Sequence, residues 1–517
     1  GHRSPMAPNP EPDSRYPYAR SMPLRLAIVV AFVGMVSATL GCDPGADRAS
    51  PPLEQTTEVA TADRPGASQP GGRRPNIILI LADDQGAETM EVMQRVQRKL
   101  ADRGTTYTDA IVSLPECCPS RASVLSGQYA HNHGVLDNTP PRGGYSAFDG
   151  RNSLPVWLRR AGYRTGWVGK YLNGYGNPAK GADPLEVPPG WSEWTAPVNH
   201  TEFRMFDYTL NHNGELRDYG SEAADYQTDV FAGRADDFVR KSARGSKPFF
   251  LAVSPLAPHQ EGSPIDDRPD APRNPRPAPR HRGTFDSEPL PMPPSFDEAD
   301  VSDKAEIVGE QRPLGRAEIE RLTKIYRSQL ESLLAVDEMV GGLVRTLRET
   351  DQLRETVVIY TSDQGFLFGE HRLSGKNKLY EEALHVPLII RGAGLEAGST
   401  DDRLASNIDL APTIAELSGA RASQPMDGRS LLGPAPKKGI EGRSLLLELF
   451  HPGRYAGVRT STHAYVDFGR RGIELYDLAQ DPLQLVNIAG EPAHREVERR
   501  LAAELKRLRD CAGKSCR

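Results

Sequence analysis

Residues 75–84 read Pro-Asn-Ile-Ile-Leu-Ile-Leu-Ala-Asp-Asp, and the run Asn76–Ala82 is apolar until two adjacent carboxylates stop it. A continuous apolar run of this length, bounded by Pro and Asp, predicts a strand buried on both faces. Val92, Met93, Val96 and Leu100 then recur at helical spacing until Gly104, which predicts a covering helix. Strand-like runs return at 165–169, 248–254 (PFFLAVS), 356–361 (TVVIYT) and 386–390. Strands alternating with helical stretches imply an α/β fold whose largely parallel sheet is covered on both sides. Ligands in such folds sit beyond the carboxyl ends of the strands. Asp83-Asp84, Lys170, His259 and Asp363-Gln364 all fall just past such ends.

Outward from this core the pattern changes. Residues 255–294 are Pro-rich with mixed charge, too irregular for core and long enough for a functional loop. Residues 318–350 read as one long helix. Beyond about residue 420, short strand-like pieces at 455–461, 464–468 and 472–478 precede an amphipathic helix at 497–508. The expected division is therefore a large domain over 75–420 and a smaller α+β domain over 421–517.

The first 42 residues read as an export signal. Arg15, Arg20 and Arg25 precede the apolar run 26–40 (LAIVVAFVGMVSATL), which is shorter than the roughly 18 residues of a spanning helix. It ends at Gly41-Cys42, resembling the lipobox of bacterial lipoproteins, although Thr39 stands where that box has Leu. The expectation is a cell-surface or periplasmic lipoprotein anchored to the membrane through Cys42, or otherwise a secreted protein. Residues 43–74, rich in Pro, Gly, Ala, Ser and Thr without apolar period, read as a flexible linker.

Composition narrows the function. With 38% hydrophobic and 26% charged residues the 517-residue chain has a globular make-up, and 63 basic against 69 acidic residues give a net charge of −6. That balance argues against a generic nucleic-acid partner, which would need clustered Lys and Arg. Five cysteines are too few for a disulfide framework. Cys511 and Cys516 either close a small loop, which export permits, or stay free.

The deciding motif is Cys117-Cys118-Pro119-Ser120-Arg121, followed by Ser-Gly-Gln-Tyr-Ala-His131-Asn-His133-Gly. Pro suits a first helical turn, and a helix start with a nearby Arg favours an anion. This pattern resembles the signature of type I sulfatases, the formylglycine-dependent branch of the alkaline-phosphatase-like superfamily. The resemblance extends through Gly169-Lys170-Tyr-Leu-Asn, Pro258-His259, Asp363-Gln364-Gly, Gly375-Lys376 and Tyr476-Asp-Leu, and is closest to N-acetylglucosamine-6-sulfatases.

The resemblance implies an alkaline-phosphatase-like large domain with a mixed, mostly parallel sheet between helices. It implies oxidation of Cys117 to formylglycine by a formylglycine-generating enzyme, and Ca²⁺, or alternatively Mg²⁺, held by Asp83, Asp84, Asp363, Gln364 and the modified Cys117. Carboxylates gathered at strand ends would repel without such a cation, and hard oxygen donors favour these ions. Gln364 departs from the Asn usual in the family. One hydroxyl of the hydrated aldehyde would attack sulfur, with Arg121, Lys170 and Lys376 stabilising charge and His259 protonating the leaving oxygen. Sulfatases often carry His two residues after the first Lys; here that position is Leu172, so His131 or His133 is the expected replacement. The implied substrate is a sulfated carbohydrate. A phosphodiesterase or phosphonate hydrolase of the same superfamily, or a sulfatase with a non-sugar substrate, is the competing reading.

Overall fold

The computed structural model describes residues 74–262, 273–451 and 453–517. The signal, lipobox and linker readings lie outside the described residues. The first strand, β1 (Asn76–Ala82), is fully buried, as its composition requires. The strands that follow are β2 (Thr105–Ile111), β3 (Arg164–Gly169), β4 (Glu193–Pro197), β5 (Tyr208–His212), β6 (Glu215–Tyr219), β7 (Phe249–Ser254), β8 (Thr356–Ser362), β9 (Leu388–Arg391) and β10 (Ser399–Ser406). They form one ten-stranded sheet in the order β10-β2-β9-β8-β1-β7-β3-β4-β5-β6. β1 lies parallel between β7 and β8, and β3 parallel to β7 and β4. β9 runs antiparallel to both β8 and β2, which makes the sheet mixed.

Two apolar layers cover the sheet. One side packs Ile77, Leu79, Trp157, Trp167, Trp194 and Phe250; the other packs Ile78, Ile80, Leu251 and Val253 against Leu333, Val336 and Val340 of a long helix. The helices used below are α1 (Gln94–Lys99), α2 (Cys117–Ser126), α3 (Leu154–Arg160), α4 (Gln227–Ala243), α5 (Arg316–Glu349), α6 (Leu410–Ser418) and α7 (Arg495–Leu508). The helix expected after β1 is broken: a 3-10 turn (Ala87–Val92), α1 and a second 3-10 turn (Ala101–Arg103) share that stretch. β2, β4, β5, β6 and β10 escaped sequence reading; in β2 and β10, Thr, Asp and Arg interrupt the apolar runs.

The C-terminal region contributes an antiparallel sheet of β11 (Leu445–Leu449), β12 (Tyr455–Arg459), β13 (His463–Asp467) and β14 (Ile473–Asp477), backed by α7. Its apolar face shares one cluster with Ile111, Val112, Tyr129, Leu384 and Ile408 of the large region. Cys511 and Cys516 are disulfide-bonded. Among the described residues no helix is long and apolar enough to cross a membrane.

Candidate active site

The carboxyl ends of the central strands converge. β1 delivers Asp83 and Asp84, β8 delivers Asp363 and Gln364, and all four are buried. Asp84 turns its backbone into the left-handed region (φ +64°), and its N–H donates to Asp363 Oδ1 at 3.1 Å, locking the two strand ends together. At the end of β3, Gly169 has φ +120°, and a Cβ there would lie 2.0 Å from the Ser254 carbonyl. Only Gly allows that approach, and Lys170 N then donates to the same carbonyl at 2.8 Å.

Cys117 opens α2, a helix buried along its whole length. Its Sγ lies 2.9 Å from Lys376 Nζ, 3.3 Å from Gln364 Nε2 and 3.6 Å from Asp83 Oδ1. Lys376 Nζ also donates to Asp84 Oδ1 at 2.6 Å, and Lys170 Nζ pairs with Asp83 Oδ2 at 2.5 Å. Arg121 is fully buried one turn along α2. Its Nε donates to Asp363 Oδ2 at 2.7 Å, its Nη1 to Ser254 Oγ at 2.7 Å and to the Lys170 carbonyl at 2.9 Å, and its Nη2 lies 3.3 Å from Asp83. His259 Nε2 lies 3.5 Å from Asp84 Oδ2, while its Nδ1 donates to the Gln260 carbonyl at 2.6 Å.

The charges are strongly coupled. Burial would raise the Asp83 carboxyl, but Lys170, His259, Arg121 and Lys376 outweigh it and hold the group well below the usual carboxylate range. Burial, then the neighbouring Asp83 charge, push Asp363 up to about 7. Burial raises the Cys117 thiol to about 12, so the unmodified side chain stays protonated at neutral pH. Burial, with Lys376 next, lowers His259 to about 4.

Ligand atoms of Asp83, Asp84, Cys117 and His259 all lie within 4.8 Å of one another. Gln364 Oε1 is buried with no hydrogen-bond partner, and a half-turn of its amide presents that oxygen where Nε2 now meets Asp84 and Cys117. Buried carboxylates and an unsatisfied amide oxygen fit a hard divalent cation. Asp363 reaches the cluster through Asp84 N and Arg121.

Of the residues expected from sequence, Asp83, Asp84, Cys117, Arg121, Lys170, His259, Asp363, Gln364 and Lys376 meet in one place. His131 does not serve as the replacement partner for Cys117, because both its ring nitrogens are engaged elsewhere: Nδ1 on Glu448 Oε1 and Nε2 on the Cys511 carbonyl, each at 2.9 Å. His133 is also taken, accepting from Val135 N at 3.1 Å and meeting Ser123 Oγ at 3.0 Å. Both histidines brace the chain after α2 rather than the reacting end. Sequence reading missed Ser254, which holds Arg121, and Phe203, whose ring packs 5.1 Å from that of His259 and 4.7 Å from Lys170 Nζ. A hydroxyl ending a strand and a lone aromatic in a loop carry no sequence signal.

His131 has its own consequence. Both its neighbours are acceptors, so the doubly protonated ring satisfies them; burial opposes the charge, but Glu448 and the Cys511 carbonyl raise its pKa from 6.5 to about 8. A raised folded-state value stabilises below the unfolded pKa and is lost as pH climbs through the folded one. The melting temperature of the wild type minus that of His131→Gln should therefore grow from pH 9 to pH 6, changing most between about 8 and 6.5. A flat difference would show that the ring does not charge.

A cation-lined carboxylate centre at the ends of a mixed sheet, with a thiol at a buried helix start, defines a hydrolase of the alkaline-phosphatase-like class. The chain belongs to the sulfatase family, whose reaction is the hydrolysis of sulfuric esters: the Sulfatase model matches residues 75–420, and the N-sulphoglucosamine sulphohydrolase C-terminal model matches 369–511. It is 32% identical over 496 residues to the N-acetylglucosamine-6-sulfatase of Capra hircus, covering 86% of this chain and 85% of that one. It is 37% identical over 365 residues to a Sulf-1 homologue of Caenorhabditis elegans described as an extracellular sulfatase, covering 69% of this chain but only 48% of that longer protein. A structure solved in complex with its substrate, D-glucosamine-2-N,6-O-disulfate, matches with TM-score 0.70 and 25% identity over 84% of this chain and 97% of that one.

Proposed function

We propose that this protein hydrolyses sulfate esters of a sulfated glycan, with the 6-sulfate of N-acetylglucosamine or a related sugar as the substrate. The observation that carries the reading is the convergence of Asp83, Asp84, Cys117 and His259 within 4.8 Å, flanked by Lys170, Lys376 and Arg121. The named substrates of the goat relative and of the solved neighbour support the sugar.

Asp83, Asp84, Gln364 and Asp363 would hold Ca²⁺, or Mg²⁺, which would supply positive charge for the sulfate oxygens. Cys117, oxidised to formylglycine by a generating enzyme during maturation, would supply the nucleophile. Lys376, already against the side chain at 117, orients it and offsets negative charge there, while Lys170 faces the sulfuryl group. Arg121 fixes Asp83 and Asp363 rather than meeting substrate. His259 Nε2 is free of the backbone and stands beside Asp84, placed to pass a proton to the leaving sugar oxygen. Burial first, then Lys376, holds its proton affinity down, and the negative charge of an arriving sulfate ester would offset the cationic part of that shift. Export to the cell surface or periplasm, with Cys42 lipidated, would put the enzyme where such glycans are met.

Two measurements test the reading. The tryptic peptide ending at Arg121, from protein made in its native host, should carry an aldehyde in place of the Cys117 thiol; an intact thiol overturns the formylglycine chemistry. Chelation should abolish hydrolysis and lower the melting temperature, with Ca²⁺ restoring both, because a ligand bound only by the native state stabilises it. Activity on phosphate esters alone would reject the sulfatase reading in favour of phosphoryl chemistry.

A further inference from the structure

The pole of the sheet opposite the active site carries an unneutralised basic patch. Arg98 and Lys99 end α1, Arg103 precedes β2, Arg348 lies near the end of α5, and Arg391 ends the antiparallel β9. Because β2 and β8 run alike and β9 runs against them, these positions all gather at the amino ends of the parallel strands. None of the five side chains has a hydrogen-bond or ion-pair partner among the described residues. Arg348 and Arg103 lie close enough to Arg391 that, after burial, their charge depresses its pKa.

The patch is shaped as well as charged. α1 crosses α5 at Gly341, where a Cβ would fall 2.6 Å from Arg95 Cδ, and this close approach leaves a groove of about 670 Å³. Arg95, Arg98, Lys99, Arg345 and Arg348 line it, and Glu338 is the acid on its wall. Arg95 is paired with Asp337 at 3.2 Å and with Glu338 at 3.8 Å, and Glu338 also holds Arg280 at 2.7 Å and His281 at 3.1 Å, so the uncompensated lining is Arg98, Lys99 and Arg348. Nearby, Glu349 is shared by Arg240 at 2.6 Å and Arg345 at 3.9 Å. Asp102 is exposed beside Arg103, so the balance is positive without being uniform.

The described chain also begins at this pole. Arg74 precedes β1, and Asn76 is tied to Gln352, just past α5, by a 3.0 Å hydrogen bond. Arg74, where the described residues begin, therefore lies on the basic side. In a chain of net charge −6, unpaired cations clustered at one pole complement an extended anionic surface.

We propose that this pole is a docking surface for an anionic phospholipid leaflet, which sets the body with its active site facing away from the membrane. Each Lys or Arg held near an anionic leaflet raises partitioning by roughly fivefold at moderate salt. The inference stands apart from the sulfatase reading, since none of these residues belongs to the active site.

The test uses the full chain and vesicles of phosphatidylcholine, alone or mixed with phosphatidylglycerol. The wild type should bind the mixed vesicles at least about tenfold more tightly, with the preference fading at high salt. Arg98→Glu/Arg348→Glu should erase the preference while leaving turnover of a small sulfate ester unchanged. Arg499→Glu/Arg500→Glu, an equal change of net charge on α7, should keep it. Equal binding to both vesicles, or a preference surviving in Arg98→Glu/Arg348→Glu, overturns the proposal. So does retention on a sulfated polysaccharide through these arginines without any preference for phosphatidylglycerol, which would make the groove a glycan site.

Discussion

Cys117→Ala should fold normally and lose turnover of sulfate esters by at least about 10⁴-fold, the scale expected when a covalent nucleophile is removed. The side chain is small and buried, so stability should change little, and the melting temperature serves as the control. KM should be of little use, because too little turnover remains to define it; binding of a non-hydrolysed sulfated sugar should persist through Lys170 and Lys376. A variant retaining a tenth of wild-type activity would mean that the nucleophile is not at position 117. A variant without activity that also fails to bind the sugar would instead give Cys117 a ground-state binding role.

The second large effect concerns stability. Arg121 is fully buried between Asp83 and Asp363, and its guanidinium also satisfies Ser254 and the Lys170 carbonyl. Arg121→Ala would strand buried carboxylates, and breaking such a pair from one side costs about 3–5 kcal/mol. The expected result is a large drop in the denaturation midpoint together with loss of activity. Arg121→Lys should recover part of the stability and little of the activity, since a single ammonium cannot span both carboxylates in the fork geometry. A midpoint unchanged in Arg121→Ala would refute the view that this residue holds the site together.

Much of this arrangement was legible in the chain. The run Asn76–Ala82 is apolar on both faces, so its strand could be read without reference to partners, and its end at Asp83 marked the site. The same holds for Thr356–Ser362 and Phe249–Ser254. Taken singly, an Asp pair past a strand end is more often a turn or a helix cap, and it was the ordered set of motifs at successive strand ends that pointed to chemistry. The large region's edge strands were not legible: Glu215–Tyr219 is almost wholly exposed, and Ser399–Ser406 carries two Asp and an Arg, so their pairing is decided by neighbours. The roles given to His131 and His133 failed for a related reason. Proximity in sequence to Cys117 says nothing of where a ring points, and what captures His131 is Glu448, more than 300 residues away on β11. Gln364 shows the opposite case, a departure from family habit whose buried, unpartnered oxygen still suits the same duty.

The apolar cluster shared by β11–β14, α7 and the residues flanking α2 has a mechanical meaning. Ile111, Val112 and Tyr129 bracket the helix that carries Cys117 and Arg121, and they are roofed by Leu445, Leu447, Val458 and Leu475 from the far end of the chain. The reactive helix is thus clamped from outside the region that supplies its partners. Heat or denaturant that lifts the small sheet would release the clamp and misalign the centre in the same event. A chain cut after residue 420 would keep every reacting group and lose the frame that holds them in register.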